Sequence, residues 1–142
     1  MFFLEVLFAF FITASFAIIF NVRGKLIFYS GIGGAISWFF YLLFTEKGYS
    51  YSTCYLLATA ITAFYSEVMA KKLKTTVPTL LIAALIPMAP GGGVYYTMLY
   101  LIENNYQESM LKGMETSIIA GSMALGIILI TTCFRIFHHR SK

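Results

Sequence analysis

The chain has 142 residues, of which 59% are hydrophobic, 18% aromatic and only 11% charged. A soluble domain carries about 25% charged residues, so this composition cannot cover a globular surface in water, and it fits a chain whose solvent is lipid. The net charge of +4 comes from ten Lys/Arg against six Glu, with no Asp. The basic residues fall in short clusters between long apolar runs, which reads as membrane topology rather than a nucleic-acid surface.

The first apolar run, Phe2 to Phe20, lacks a basic leader and an A-x-A cleavage site, and is read as a retained span. The second is Leu26 to Phe44 and the third Tyr51 to Ala70. The fourth, Val77 to Ile102, contains Pro87, Pro90 and Gly91-Gly92-Gly93. As a straight helix it would measure about 39 Å. Prolines remove backbone donors and clash with the preceding turn, and three glycines disfavour a helix interior. Two half-helices are therefore predicted, about Val77 to Ile86 and Val94 to Ile102, joined by an unwound stretch. The fifth run is Thr116 to Phe134, followed by a basic tail over residues 135–142 that contains His138-His139. The expected fold is a single all-α membrane domain of five transmembrane helices, the fourth discontinuous.

Loop charges set the orientation. With Arg23, Lys25, Lys71, Lys72 and Lys74 in the cytoplasm, a crossing fourth segment also brings Arg135, Arg140 and Lys142 inside. Lys47 and Lys112 remain outside, eight against two; a re-entrant segment would give five against five. The positive-inside rule selects the crossing, with the N-terminus outside and the C-terminus inside. Cys54 and Cys133 then lie near opposite faces, which argues against a disulfide between them. Ser30/Gly34, Gly33/Ser37, Ser117/Gly121 and Ser122/Gly126 are small-xxx-small pairs suited to close helix packing.

The Pro/Gly segment is the most informative feature. Broken helices in transporters aim free amides and a positive dipole end at anionic substrate groups. Pro87 and Pro90 would set the break, Gly91, Gly92 and Gly93 would offer backbone to a substrate carboxylate, and Thr97 and Tyr96 would assist. A kinked helix without a ligand is the alternative. Thr59, Thr62 and Ser66 either complete the site or bond back to their own helix. Glu67 is either a proton-coupling carboxylate or, as its spacing favours, a partner for Lys71 one turn on. No carboxylate pair, Ser/His arrangement or metal spacing is present, so neither an enzyme nor a cofactor is expected.

Leu85-Ile86-Pro87-Met88-Ala89-Pro90-Gly91, followed by a Tyr/Thr-rich helix, resembles the I-P-x-x-P-G signature of the threonine/serine exporter family. Phe20-Asn21-Val22 and the glycine-rich second run fit the same family, and the triple glycine departs from its pattern. The resemblance is to the small, membrane-only subunit of the split form, equivalent to the C-terminal half of fused members. It implies a multi-pass protein of a bacterial inner membrane, working with a larger subunit that carries a cytosolic N-terminal domain. It further implies export of threonine and serine, or of dicarboxylates such as succinate in some pairs, with coupling to the proton-motive force. An upstream half with five spans would end outside, where this chain begins, which gives two halves of inverted topology. A scaffold subunit that transports nothing, and a homo-oligomeric channel, are the readings from other classes.

Overall fold

A computed structural model describes residues 1–139. It is helical throughout: α1 (Phe2–Ile19), α2 (Lys25–Glu46), α3 (Tyr51–Leu73), α4 (Val77–Ala84), a 3-10 turn (Ile86–Met88), α5 (Gly91–Ile102) and α6 (Tyr106–His139). Four helices, α1, α2, α3 and α6, are long and apolar enough to cross a membrane, and α4 with α5 makes a fifth if the bent pair is one span. The side chains of His138 and His139, and all of Arg140 to Lys142, lie outside the described part.

Three helices stop in the same way. Asn21, Lys74 and Asn104 adopt positive φ of 59°, 52° and 59°. Each turns the chain so that the next amide reaches back into the last turn: Val22 to the Ala17 carbonyl at 2.9 Å, Thr75 to Ala70 at 3.0 Å, and Asn105 to Tyr100 at 2.9 Å. These bonds satisfy carbonyls that a helix end would otherwise orphan. At the first corner the device also seats Val22 in a small cluster with Ala17 and Ala83.

The helices pack in the order α1 on α2, α2 on α3 and α3 on α6, with α4 nested against α1, α2 and α3. The interior is built from small side chains. The buried residues of α1 are Ala9, Thr13 and Ala17, with Thr13 packed on Gly34 of α2, and among the described residues only Leu80 and Met88 are both large and fully buried. Phenylalanines such as Phe3, Phe8 and Phe11 point outward instead. Lipid is as apolar as a leucine side chain, so close backbone approach and dispersion, rather than burial of large side chains, hold such a bundle together. A Cβ on Gly34 would collide with the Thr13 hydroxyl, and one on Gly33 would lie 2.9 Å from the Ala84 Cβ. On α3, the Tyr65 hydroxyl donates to the Tyr29 carbonyl of α2 at 2.8 Å. The buried hydroxyls of Thr13, Ser30, Ser37 and Ser66 have no hydrogen-bond partner among the described residues.

The break differs from expectation in extent. The first half-helix ends at Ala84, not Ile86, and the second begins at Gly91, not Val94. Pro87 tightens the chain into a 3-10 turn, in which Met88 donates to Leu85 at 3.0 Å and Ala89 to Ile86 at 3.1 Å. Ala89 is extended, with ψ of 130°, as a residue before proline must be. Pro90 then caps α5, and the three glycines form its first turn, where a helix already lacks partners for its amides. The two halves meet at 56°.

The last helix also begins earlier than the predicted Thr116. Asn104 ends α5, the Asn105 Oδ1 accepts the Glu108 amide at 3.4 Å, and residues 107–115 are mostly good helix formers. α6 therefore runs for 34 residues. Its first part packs on α5, where the Ser109 hydroxyl donates to the Thr97 carbonyl at 2.7 Å. Its later part packs on α3, where a Cβ on Gly126 would lie 2.5 Å from the Leu56 carbonyl oxygen and Phe134 meets Phe64. The small pairs on α6 divide accordingly: Gly126 is buried against α3, whereas Gly121 faces open space and Ser117 is exposed.

Gly34→Ala is expected to lower stability by about 1–3 kcal/mol through overpacking. Because the Thr13 Cβ would itself lie 2.7 Å from the new methyl, Thr13→Gly, which removes the whole side chain, should offset the overpacking in the double variant, and Gly121→Ala should be neutral. Thermal unfolding of the four proteins in one detergent reads this, and a Gly34→Ala variant as stable as the parent contradicts the packing described.

Candidate functional site

The break opens a cleft of about 260 Å³, lined by Trp38, Tyr55, Pro87, Ala89, Pro90, Gly92, Gly93, Lys112, Glu115, Thr116 and Ile119. Its walls come from α2, α3, the 3-10 turn, the start of α5 and the exposed first part of α6. Pro87 and Pro90 shape it because neither can donate a backbone bond, so the chain bends at both. The Gly91 amide is occupied by the Ala89 carbonyl at 2.7 Å, and the Val94 amide by Pro90 at 3.1 Å. Between them, the amides of Gly92 and Gly93 have no acceptor among the described residues. They are free donors at the positive end of a helix.

The two glycines differ in surroundings. A Cβ on Gly92 would meet nothing within 4 Å, so its side faces the open cleft. A Cβ on Gly93 would strike the Thr116 hydroxyl, so Gly93 is needed for α5 to approach α6. The Thr116 hydroxyl itself donates to the Lys112 carbonyl at 2.7 Å, which leaves only its lone pairs toward the cleft.

A charge pair completes the lining. Lys112 Nζ lies 2.7 Å from Glu115 Oε2, three residues on along α6, and is the one ion pair among the described residues. Both side chains are substantially exposed, at 37% and 53%, so solvent screens the pair and it contributes little to stability. The charge count put Lys112 on the outer side, ahead of the last apolar run; the early start of α6 sets it on a helix and brings it to the cleft. Tyr55, Trp38, Thr116 and Ile119 were also unforeseen; the Lys-x-x-Glu-Thr spacing on an otherwise apolar helix was the available signal.

Other candidates sit elsewhere. Gly91 is exposed beside the cleft and does not line it. The Thr97 hydroxyl donates to the Gly93 carbonyl at 2.7 Å, and its methyl lies toward Gly113, so Thr97 packs α5 on α6. Tyr96 is exposed between the rings of Tyr95 and Tyr100. Thr59 donates to the Tyr55 carbonyl and Thr62 to the Ala58 carbonyl, the back-bonding arrangement, while Ser66 is buried away from the cleft. Glu67 lies twelve residues from Tyr55, about 18 Å along α3. Its expected pairing with Lys71 is absent: Lys71 Nζ sits 4.8 Å over the Phe134 ring, drawn by a cation–π contact. Both cysteines are free, Cys54 buried and Cys133 exposed.

No curated protein and no solved structure shows a significant match to the chain. A family model described as Threonine/Serine exporter, ThrE, matches residues 5–133. With a match over nearly its whole length, a helical architecture of four or five membrane-length spans and a helix broken at the Pro/Gly segment, the chain belongs to the threonine/serine exporter family.

Proposed function

We propose that this chain is the membrane-only subunit of a threonine/serine exporter and that the cleft at the α4–α5 break receives the amino-acid zwitterion. The observation that carries this reading is the cleft's charge pattern. Free amides at Gly92 and Gly93 and the Lys112 ammonium suit a carboxylate, while the Glu115 carboxylate suits an ammonium. A hydroxyl on the substrate finds the lone pairs of Thr116 and the Tyr55 phenol in the same lining. Trp38 supplies an aromatic face that also favours a cation.

The dicarboxylate reading fits less well. Lys112 is matched by Glu115, so side-chain charge in the cleft sums to zero, and a doubly negative substrate would meet Glu115 uncompensated. The scaffold and channel readings gain no specific observation.

A larger partner subunit belongs to the proposal. α5 has no buried residue, and Val94, Tyr95, Met98 and Ile102 are all more than half exposed. α5 rests on α6 alone among its substantial contacts, which leaves one side of the cleft to be closed by another chain. Coupling to the proton-motive force, inverted topology of the two halves and residence in a bacterial inner membrane accompany this reading. Glu67 remains the chain's candidate coupling carboxylate, acting from a distance of about 18 Å.

The decisive experiment is efflux from proteoliposomes that hold the chain with its partner. Gly92→Leu fills the cleft without touching another element and should cut threonine efflux at least about tenfold, the loss of roughly 1.4 kcal/mol of substrate interaction, while assembly stays normal. Unchanged efflux from an assembled variant rejects the site.

Glu115→Gln should lower threonine transport and raise succinate transport relative to it, because Lys112 then stands unmatched. A fall in both, or no change in their ratio, argues against charge-matched recognition.

Orientation is open to a simple check. Cys133 lies within the apolar length of α6, so the reporter is a cysteine in place of the exposed Lys72 at the end of α3, with Cys133 replaced by Ser: a membrane-impermeant maleimide should label intact inside-out vesicles and leave right-side-out vesicles unlabelled.

A further inference from the structure

A second cleft, of about 330 Å³, lies between α3 and α6 at the other end of these helices, lined by Glu67, Lys71, Thr131, Phe134 and Arg135. Its three charges are not neutralised by one another. Glu67 and Lys71 have the spacing of a helical ion pair but do not form one, because Lys71 leans over Phe134. Arg135 also has no ion pair or hydrogen bond among the described residues. The Thr131 hydroxyl donates to the Ile127 carbonyl at 2.9 Å, so it offers only lone pairs to a ligand. Two cations, one carboxylate and one acceptor oxygen therefore converge without partners.

We propose that this cleft between α3 and α6 is a phospholipid headgroup site, selective for headgroups that carry both a phosphate and a primary ammonium. Lys71 and Arg135 take the phosphate through charge-assisted hydrogen bonds. Glu67 and the Thr131 oxygen take the ammonium. The position fits a lipid better than a soluble metabolite. α3 ends at Leu73 and the apolar part of α6 ends at Ile136, so the cleft lies within two turns of both limits, where hydrocarbon gives way to headgroups. Lys72 and Lys74 follow immediately and add positive potential. In the other direction, Phe134 contacts Phe64 with ring centroids 5.4 Å apart, and Phe64 is 53% exposed. Apolar surface thus leads away from the polar end, as an acyl chain requires. The site is separate from the break cleft and stands whether or not that cleft binds substrate.

The test uses the full chain in nanodiscs of phosphatidylcholine doped with phosphatidylethanolamine or phosphatidylglycerol, with retained lipids counted by native mass spectrometry. Phosphatidylethanolamine should be retained over phosphatidylcholine by about tenfold, the worth of a charged hydrogen bond that a quaternary ammonium cannot make. Lys71→Gln and Arg135→Gln should each abolish retention of both doped lipids. Glu67→Gln should keep phosphatidylglycerol and lose the preference for phosphatidylethanolamine over phosphatidylcholine. A photoactivatable phosphatidylethanolamine on the unmodified chain should crosslink at Phe64 or Phe134, a readout independent of any variant's folding. Equal retention of phosphatidylethanolamine and phosphatidylcholine, or crosslinks confined to other helices, overturns the proposal. Displacement of the lipid by soluble O-phosphoethanolamine or by threonine at matched concentration also overturns it, and assigns the cleft to a free solute.

Discussion

Two missing backbone donors organise this molecule. Pro87 and Pro90 stand three residues apart, and neither can supply the hydrogen bond that would carry one helix through from Val77 to Ile102. The chain answers with a 3-10 turn and one extended residue, then restarts a helix on three glycines. Everything specific about the cleft follows from that restart. The new helix begins with amides that have no upstream carbonyls to meet, and the 56° change of direction takes α5 away from α2 and α3 and onto α6. Without the bend, Gly92 and Gly93 would be buried mid-helix with their amides satisfied.

The rest of the bundle is arranged to hold the first half of the break firmly and the second half loosely. α4 is surrounded by α1, α2 and α3, and its contact with α2 is close because Gly33 lets Ala84 approach, while Gly34 closes α2 onto Thr13 of α1. That packing is not free of cost. Four buried hydroxyls along these faces lack partners among the described residues, and each such group costs about 1–3 kcal/mol when left unpaired. α5, by contrast, is held by the Ser109–Thr97 bond and by the fit of Gly93 against Thr116 and of Gly113 against Thr97.

Much of this was legible in the residues. Apolar run length located the helices that cross, and the Pro/Gly segment located the break, because both depend on local backbone chemistry. The small residues at 30, 33, 34 and 37 announced the tight seam on α2. What the sequence hid was the register at helix ends. Asn105 restarts the helix at Tyr106, ten residues ahead of the apolar run that hydropathy detects, and that shift turns Lys112 and Glu115 from loop charges into cleft charges. The fate of Lys71 was hidden for a similar reason: spacing on α3 favours Glu67, but Phe134 arrives from α6, which only tertiary contact reveals. That Thr97 packs toward Gly113 rather than lining the cleft was hidden too, because a hydroxyl facing a neighbouring helix and one facing a cleft look alike in sequence.

The uninterrupted length of α6 has a consequence for the two clefts. One continuous helix carries α5 on its first part and α3 on its later part, with Ile119, on the wall of the break cleft, between them. Lys112, Glu115 and Thr116 wall the break cleft and Thr131, Phe134 and Arg135 wall the cleft at the opposite end, so both cavities share one uninterrupted helix as a common wall.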